Sequence, residues 1–447
     1  MSTLHIGLLY ALGTFAFLFS GMPIAFAVGA VALIFMFLFM PSVQLDIVAE
    51  TIYSELNSFT LLTIPLFILM GAAIGKSRAG SDLYNSLNSW LYKVPGGLGL
   101  ANTLACSVFA AMCGSSPATC SAIGSSGIPE MRKRGYSSRL ASGLIAAGGT
   151  LGILIPPSLT LILYGLATEQ SIGKLFMAGV GPGIMLTTLF ALWVVYKSWV
   201  EKRQTIAAAA TGTAAQPYVA EHHSWQDRLN SLPRLLPFLV LILIVMVALY
   251  GGWATPSEVA GIGAFGALVM VMLIYGCWRW ADLKVILSGT ARESAMIMMI
   301  IAMSFLYTYV MSYLHVTQDL AQWIVSLDMG KWQFFFWTCI FLIVLGFFLP
   351  PVAIILMVTP VILPALEALG IDLIWFGVVM TIIMEMGLIH PPVGLNLFVI
   401  NGIAPDIPLK EIMWGVAPFL VLMVVGILLL CLFPEIALWL PSRYQGS

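Results

Sequence analysis

Charge is what this sequence has least of. Asp, Glu, Lys and Arg make up 9% of its 447 residues, against about 25% in an ordinary soluble domain. With 60% hydrophobic residues and a mean hydropathy of +1.00, that scarcity excludes a soluble globular protein. The in-out alternation of barrel strands is missing too. Runs such as 24–40 are apolar without interruption, so the spans read as helices of a polytopic membrane protein. No basic run accompanies the net charge of −1, which leaves nothing for nucleic acid. The six cysteines, at 106, 113, 120, 277, 339 and 431, form no C-x-x-C pair, so free thiols and no metal site are expected. H-E-x-x-H, G-x-S-x-G and paired aspartates within a span are all absent, which argues against an intramembrane enzyme. A Walker motif is absent as well, and with it an ATP-driven pump. The nearest approach, Gly71 to Gly75-Lys76-Ser77, is one residue short and ends a span. Residues 4–20 lack the basic start of a cleavable signal and are expected to be a retained span. No cofactor is expected.

What is present is organised around Gly114-Ser115-Ser116-Pro117-Ala118-Thr119. The apolar segments on either side, 100–113 and 118–128, are each too short to cross a bilayer, since crossing takes about 20 residues. Two short segments meeting at a Gly-Ser-Ser-Pro turn predict a re-entrant hairpin with its tip at membrane depth. Irregular backbone there must be buried in protein or line a wet cavity. Ser116 is expected to N-cap the second arm, with Pro117 in its first turn. Ser115, Ser116 and Thr119 then converge where a small ion could sit. Capping and small-residue packing are the alternative roles of the same three side chains.

The remaining spans predicted in order are 4–20, 24–40, 61–75, 140–155 with 159–166, 175–200, 235–250, 259–275, 295–314, 332–349 with 352–369, 375–389 with 395–403, and 411–433. Residues 76–99, with Trp90 and Tyr92, read as an interfacial helix. The polar, low-complexity stretch 201–234 reads as a cytoplasmic linker. It divides a first half, 1–200, from a second half, 235–447, each with scaffold spans, a hairpin and a broken helix. With the N-terminus outside and each hairpin returning to its own side, 16 of the 19 Lys and Arg residues fall on the cytoplasmic side. Such a bias is the expected mark of orientation.

That topology sends the two hairpins in from opposite faces. Each precedes a break of the same form, Gly152-Ile153-Leu154-Ile155-Pro156-Pro157 and Gly387-Leu388-Ile389-His390-Pro391-Pro392. The second hairpin turns at Pro350-Pro351. Inverted halves with discontinuous helices are a design of secondary transporters, which bind substrate and ions at the repeat interface. An ion channel and an anion transporter working without a binding protein are the other transport readings.

Four stretches carry a resemblance. They are Gly21-Met22-Pro23-Ile24-Ala25-Phe26-Ala27, the hairpin tip, Gly149-Thr150-Leu151-Gly152-Ile153-Leu154-Ile155-Pro156-Pro157-Ser158, and Pro391-Pro392-Val393-Gly394-Leu395-Asn396. Together the chain, from about residue 4 to 435, resembles the large membrane subunit of tripartite ATP-independent periplasmic (TRAP) transporters. The resemblance implies sodium-coupled uptake of an organic anion, often a C4-dicarboxylate, across the bacterial inner membrane. It implies delivery by a periplasmic binding protein, a small membrane subunit as a separate chain, sodium as the coupling ion, and an elevator movement of the hairpins and broken helices. Two positions depart from the family pattern. An acidic residue is frequent near the second tip, where this chain reads Phe348-Leu349-Pro350-Pro351, and Thr is frequent where it has His390. Sodium prefers hard oxygen ligands, so at His390 the carbonyl, not the imidazole, is the candidate ligand.

No predicted span core contains Lys or Arg, so a substrate carboxylate must rely on half-helix N-termini, hydroxyls and bound cations. Thr150 and Gly152 could lend oxygens at the first break or serve only in packing. Gly387, His390 and Asn396 hold the corresponding places at the second, where Asn396 could instead cap exposed carbonyls. Glu385 lies within an apolar run, which makes it either an ion ligand or a neutral, hydrogen-bonded acid. Glu258 and Glu293 are expected at span ends, in contact with water or the interface.

Overall fold

In the computed structural model, residues 2–94, 96–210 and 224–443 are described, and every regular element among them is helical. The apolar runs form helices, most of which start just after Pro, Gly, Ser or Thr. The first group is α1 (Thr3–Phe19), α2 (Ile24–Phe39), α3 (Val43–Asp46), α4 (Val48–Leu56), α5 (Thr63–Lys76) and α6 (Ala79–Leu91). The first hairpin is α7 (Gly97–Cys113) and α8 (Ser116–Lys133). The first broken helix is α9 (Ser138–Gly148), continued by a 3-10 turn (Gly149–Ile153), and α10 (Leu159–Thr168). Then follow α11 (Ile172–Ala210), α12 (Trp225–Tyr250), α13 (Pro256–Tyr275), α14 (Trp280–Tyr313) and α15 (Val316–Ser326). The second hairpin is α16 (Lys331–Gly346) and α17 (Pro351–Ala368), and the second broken helix is α18 (Leu373–Ile389) and α19 (Leu395–Ile403). The last helices are α20 (Leu409–Leu432) and α21 (Glu435–Ser442). Among the described residues six helices are long and apolar enough to cross a membrane.

The linker expected over 201–234 is partly helical: α11 runs on to Ala210 and α12 already begins at Trp225. Thr211-Gly212-Thr213 and His222-His223, the core of that expectation, lie outside the described residues. Glu258 does more than meet solvent. Its carboxylate accepts the Thr255 backbone N–H at 2.8 Å and completes a capping box at the start of α13.

The two halves repeat one order of elements. In each, a long span (α5 or α14) leads to a short amphipathic helix (α6 or α15), a hairpin, a broken helix and a long closing helix (α11 or α20). The packing repeats as well. The first arm of each hairpin lies on the broken helix of its own half, α7 on α9 and α16 on α18. The second arm lies on the short half-helix of the other half, α8 on α19 and α17 on α10. The matched glycines of the breaks make the first of these contacts possible. A Cβ at Gly152 would sit 1.8 Å from the Ala110 Cβ, and one at Gly387 would sit 2.7 Å from the Gly346 carbonyl oxygen. The role of these two glycines is therefore close backbone approach.

Outside this interlocked block, α1, α2, α5, α12, α13 and α14 pack on one another as a second group. Within the block, Arg132 pairs with Asp406 at 2.6 Å and Arg139 with Glu411 at 3.5 Å, both across the two halves. All four side chains are partly exposed, so these pairs fix geometry more than they stabilise.

Candidate functional site

The first hairpin turns as its sequence requires, with one residue reassigned. Gly114 takes the left-handed conformation (φ 61°) that ends α7. Ser115 is extended, and it is Ser115, not Ser116, that caps α8 by accepting the Ala118 N–H at 3.5 Å. An extended residue before the first helical one is the geometry a cap demands. Pro117 takes its expected place in the first turn. The Thr119 hydroxyl donates to the Ser115 carbonyl at 2.9 Å and lies 3.2 Å from the Cys113 sulfur, closing the turn from inside.

Released from capping, the Ser116 hydroxyl donates to Oε2 of Glu385 at 2.5 Å. This bond joins the first hairpin to α18 of the other half. Glu385 is fully buried, and its Oε1 has no hydrogen-bond partner among the described residues. Asn396 is in the same condition. Its Nδ2 donates to the Ala146 carbonyl of α9 at 3.1 Å, while its buried Oδ1 has no partner among the described residues. The Gly149 backbone lies against Cys120 and beside Ser116 and Asn396. A Cβ built there would lie 2.8 Å from the Ser116 carbonyl and 3.5 Å from Asn396 Nδ2. Thr150, one residue on, donates to the Ala147 carbonyl at 2.6 Å.

Gly387 and His390 belong to a different neighbourhood. The His390 ring is stacked on Phe347 of the second hairpin, with centroids 4.4 Å apart and planes 16° from parallel. Its Nδ1 contacts the Pro391 carbonyl. Pro350 precedes α17 and Pro351 begins it. The breaks fall at Pro156-Pro157 and Pro391-Pro392, both cis.

The first tip opens on a cavity of about 330 Å³. One wall is the block: Gly114, Ser115, Ser121 and Pro157. The other is α5 and α14, including Gly71, Lys76 and Glu293. The N-terminal ends of α8 and α10 both reach this space, the latter capped by Ser158, which accepts the Leu161 N–H at 3.2 Å. Two helix N-termini with hydroxyl caps form a surface suited to a carboxylate.

A family model for the DctM component of the tripartite ATP-independent periplasmic transporter matches residues 11–436. The chain belongs to this family. Two C4-dicarboxylate TRAP transporter large permease proteins are among its relatives. That of Pseudomonas aeruginosa is 36% identical over 88% of this chain and 89% of its own length. That of Rhodobacter capsulatus is 34% identical over 99% of both. Further relatives are named for isethionate, ectoine and sialic acid. Among solved structures, the YdaH transporter of Alcanivorax borkumensis superposes with a TM-score of 0.62 at 15% identity, over 88% of this chain and 89% of that one. At that identity the likeness concerns fold alone. This DctM-family chain is thus a multi-pass membrane transport protein and not an enzyme.

The apolar pattern predicts Glu293 at a span end, whereas the structure puts it on the cavity wall opposite the first tip. Gly149 figures in the sequence only as the start of a resembling stretch, with no role of its own. A register argument could have found Glu293, since Val285, Ile286, Gly289 and Glu293 recur at helical spacing on one face of α14.

Proposed function

We propose that this DctM-family chain is the large membrane subunit of a sodium-coupled importer of an organic anion, first of all a C4-dicarboxylate. The observation that carries the reading is the Ser116–Glu385 bond, which binds the tip of one repeat to the broken helix of the other beside a cavity. Glu385 Oε1 and Asn396 Oδ1, buried oxygens without partners among the described residues, are the hard donors a sodium ion takes. The capped N-termini at Ser115 and Ser158 are the complement of a carboxylate. The two C4-dicarboxylate relatives favour that substrate class.

A periplasmic binding protein delivers the anion, and a small membrane subunit braces the scaffold. The chain resides in the bacterial inner membrane. The Lys and Arg bias puts Lys76 on the cytoplasmic side, so the cavity is an inward-facing vestibule. The block of hairpins and broken helices then carries the site past α1, α2, α5 and α12–α14 as an elevator.

Proteoliposomes holding this chain with both partners test the reading. Uptake of labelled succinate is expected to saturate and to collapse without a sodium gradient. Conduction without saturation, or uptake indifferent to sodium, overturns it. Equal uptake by the chain alone removes the partners from the scheme. Cysteines on α5 and α8, facing across the cavity, should crosslink and stop uptake. Full uptake by the crosslinked protein rules out the elevator.

A further inference from the structure

The vestibule holds two charged residues, Lys76 and Glu293, and both stand on the same side of it. Lys76 ends α5 and Glu293 projects from α14, while the hairpin and break residues facing them are uncharged. No ion pair among the described residues involves either side chain, so they do not neutralise each other. Both are exposed to the space they line. In a narrow cavity with low-dielectric walls, such charges act on a passing ion more strongly than on an open surface.

We infer that Lys76 and Glu293 form a charge-sorting exit, Lys76 receiving the released organic anion and Glu293 the released cation. The inference rests on the sodium-coupled elevator reading above. Its distinctive content is asymmetry. The tip and break residues travel with the cargo, whereas Lys76 and Glu293 stay with the scaffold. Cargo therefore meets these charges only when the block faces the cytoplasm. A contact made in one state alters binding in that state alone. Lys76 and Glu293 thus set affinities on the cytoplasmic side and leave those on the periplasmic side unchanged. Because two separate charges serve two separate ions, their effects divide by ion as well as by side.

Proteoliposomes containing the full complex, with succinate and sodium as probes, test this. Glu293→Gln is expected to weaken inhibition of uptake by luminal sodium about threefold to tenfold, the scale of one partly screened charge. Lys76→Gln is expected to raise the luminal succinate concentration needed for half-maximal efflux by a similar factor. Half-saturating external sodium and succinate should stay within about twofold in both variants. Glu293→Asp, which keeps the charge, should behave as the unaltered protein. Both effects should shrink as choline chloride is raised, a response that a purely structural role would not show. Unchanged luminal constants, or equal shifts on both faces, overturn the inference. Sodium-indifferent uptake by the unaltered protein overturns the coupling reading instead, and luminal succinate in Lys76→Gln then decides the anion half by itself.

Discussion

The two hairpins share a backbone plan and almost nothing of its chemistry. At the first tip, Gly114-Ser115-Ser116-Pro117 supplies a cap, a buried hydrogen bond to Glu385 and a wall of the vestibule. At the second, Phe347, Phe348 and Leu349 precede the prolines, and Phe347 is covered by the His390 ring. Phe348 meets Phe19 of α1 edge to face. The space beside that tip is an apolar cavity of about 550 Å³, lined by α1, α14, α15 and the second hairpin, with Thr14 and Tyr307 bringing the hydroxyls. Polar side chains cross between the halves in both directions. Glu385 and Asn396 reach from the second half into the first, and in return Tyr164 donates to the Leu373 carbonyl at the start of α18. Symmetry therefore belongs to packing, and the polar chemistry is gathered at one tip.

The largest expected effects test the shared plan. Gly152→Ala forces a methyl group into the Ala110 backbone and Cβ, with no side chain free to yield. Overpacking of this kind costs about 1–3 kcal/mol or more, so little monodisperse protein should survive solubilisation. Gly387→Ala meets the Gly346 carbonyl at a longer distance and faces a glycine with no side chain of its own. It should fold at reduced yield, with a lowered thermal midpoint. Equal tolerance of both would show that the matched motif does not serve matched packing.

Next comes the chemistry that only the first tip has. Ser116→Ala removes the hydrogen bond to a fully buried carboxyl. A buried polar group left unpaired costs about 1–3 kcal/mol, so sodium-dependent uptake should fall on the order of tenfold to hundredfold. Glu385→Gln keeps an acceptor for the serine but removes the possibility of negative charge. Loss of sodium dependence with normal yield would assign Glu385 to the cation. Retained sodium dependence would leave it as a neutral brace between halves. A smaller effect is expected at Gly71, where a Cβ would lie 2.4 Å from the Cys113 carbonyl. Gly71→Ala should displace the tip from its seat on α5, slow uptake about tenfold or less and lower the yield as well.

Much of this arrangement was legible in the residues. Hairpins, breaks and the inverted order follow from short apolar runs bounded by Gly, Ser and Pro, because helix length and turn chemistry are local properties. The cap falls at Ser115, one residue before the expected Ser116, since both serines suit it and only the backbone angle at Ser115 decides. The partner of Ser116 could not be read, because Glu385 is 269 positions away in sequence and pairing at that range is settled by packing. Glu293 looked interfacial for a related reason. Hydropathy reports depth along a helix but not which neighbour a face meets.

The smallest effect should come from the one polar residue peculiar to the second break. His390 offers its ring to Phe347 and lies beside the carbonyls released at Pro391-Pro392. Aromatic stacking of this kind is worth about 0.5–1.5 kcal/mol, so His390→Thr should lower the thermal midpoint slightly. Its influence on sodium runs the other way. An imidazole stacked on an apolar ring gives a hard cation nothing, whereas a Thr hydroxyl adds an oxygen next to the break. His390→Phe keeps the stack without adding an oxygen, and so separates the two effects. Half-saturating sodium should fall about twofold to fivefold in His390→Thr, as expected for one added neutral ligand, and stay unchanged in His390→Phe. If neither variant alters the sodium curve, the second break takes no part in cation binding through side chains. The polar half of the site would then lie wholly with the first hairpin, the first break and the two residues that reach them from α18 and α19.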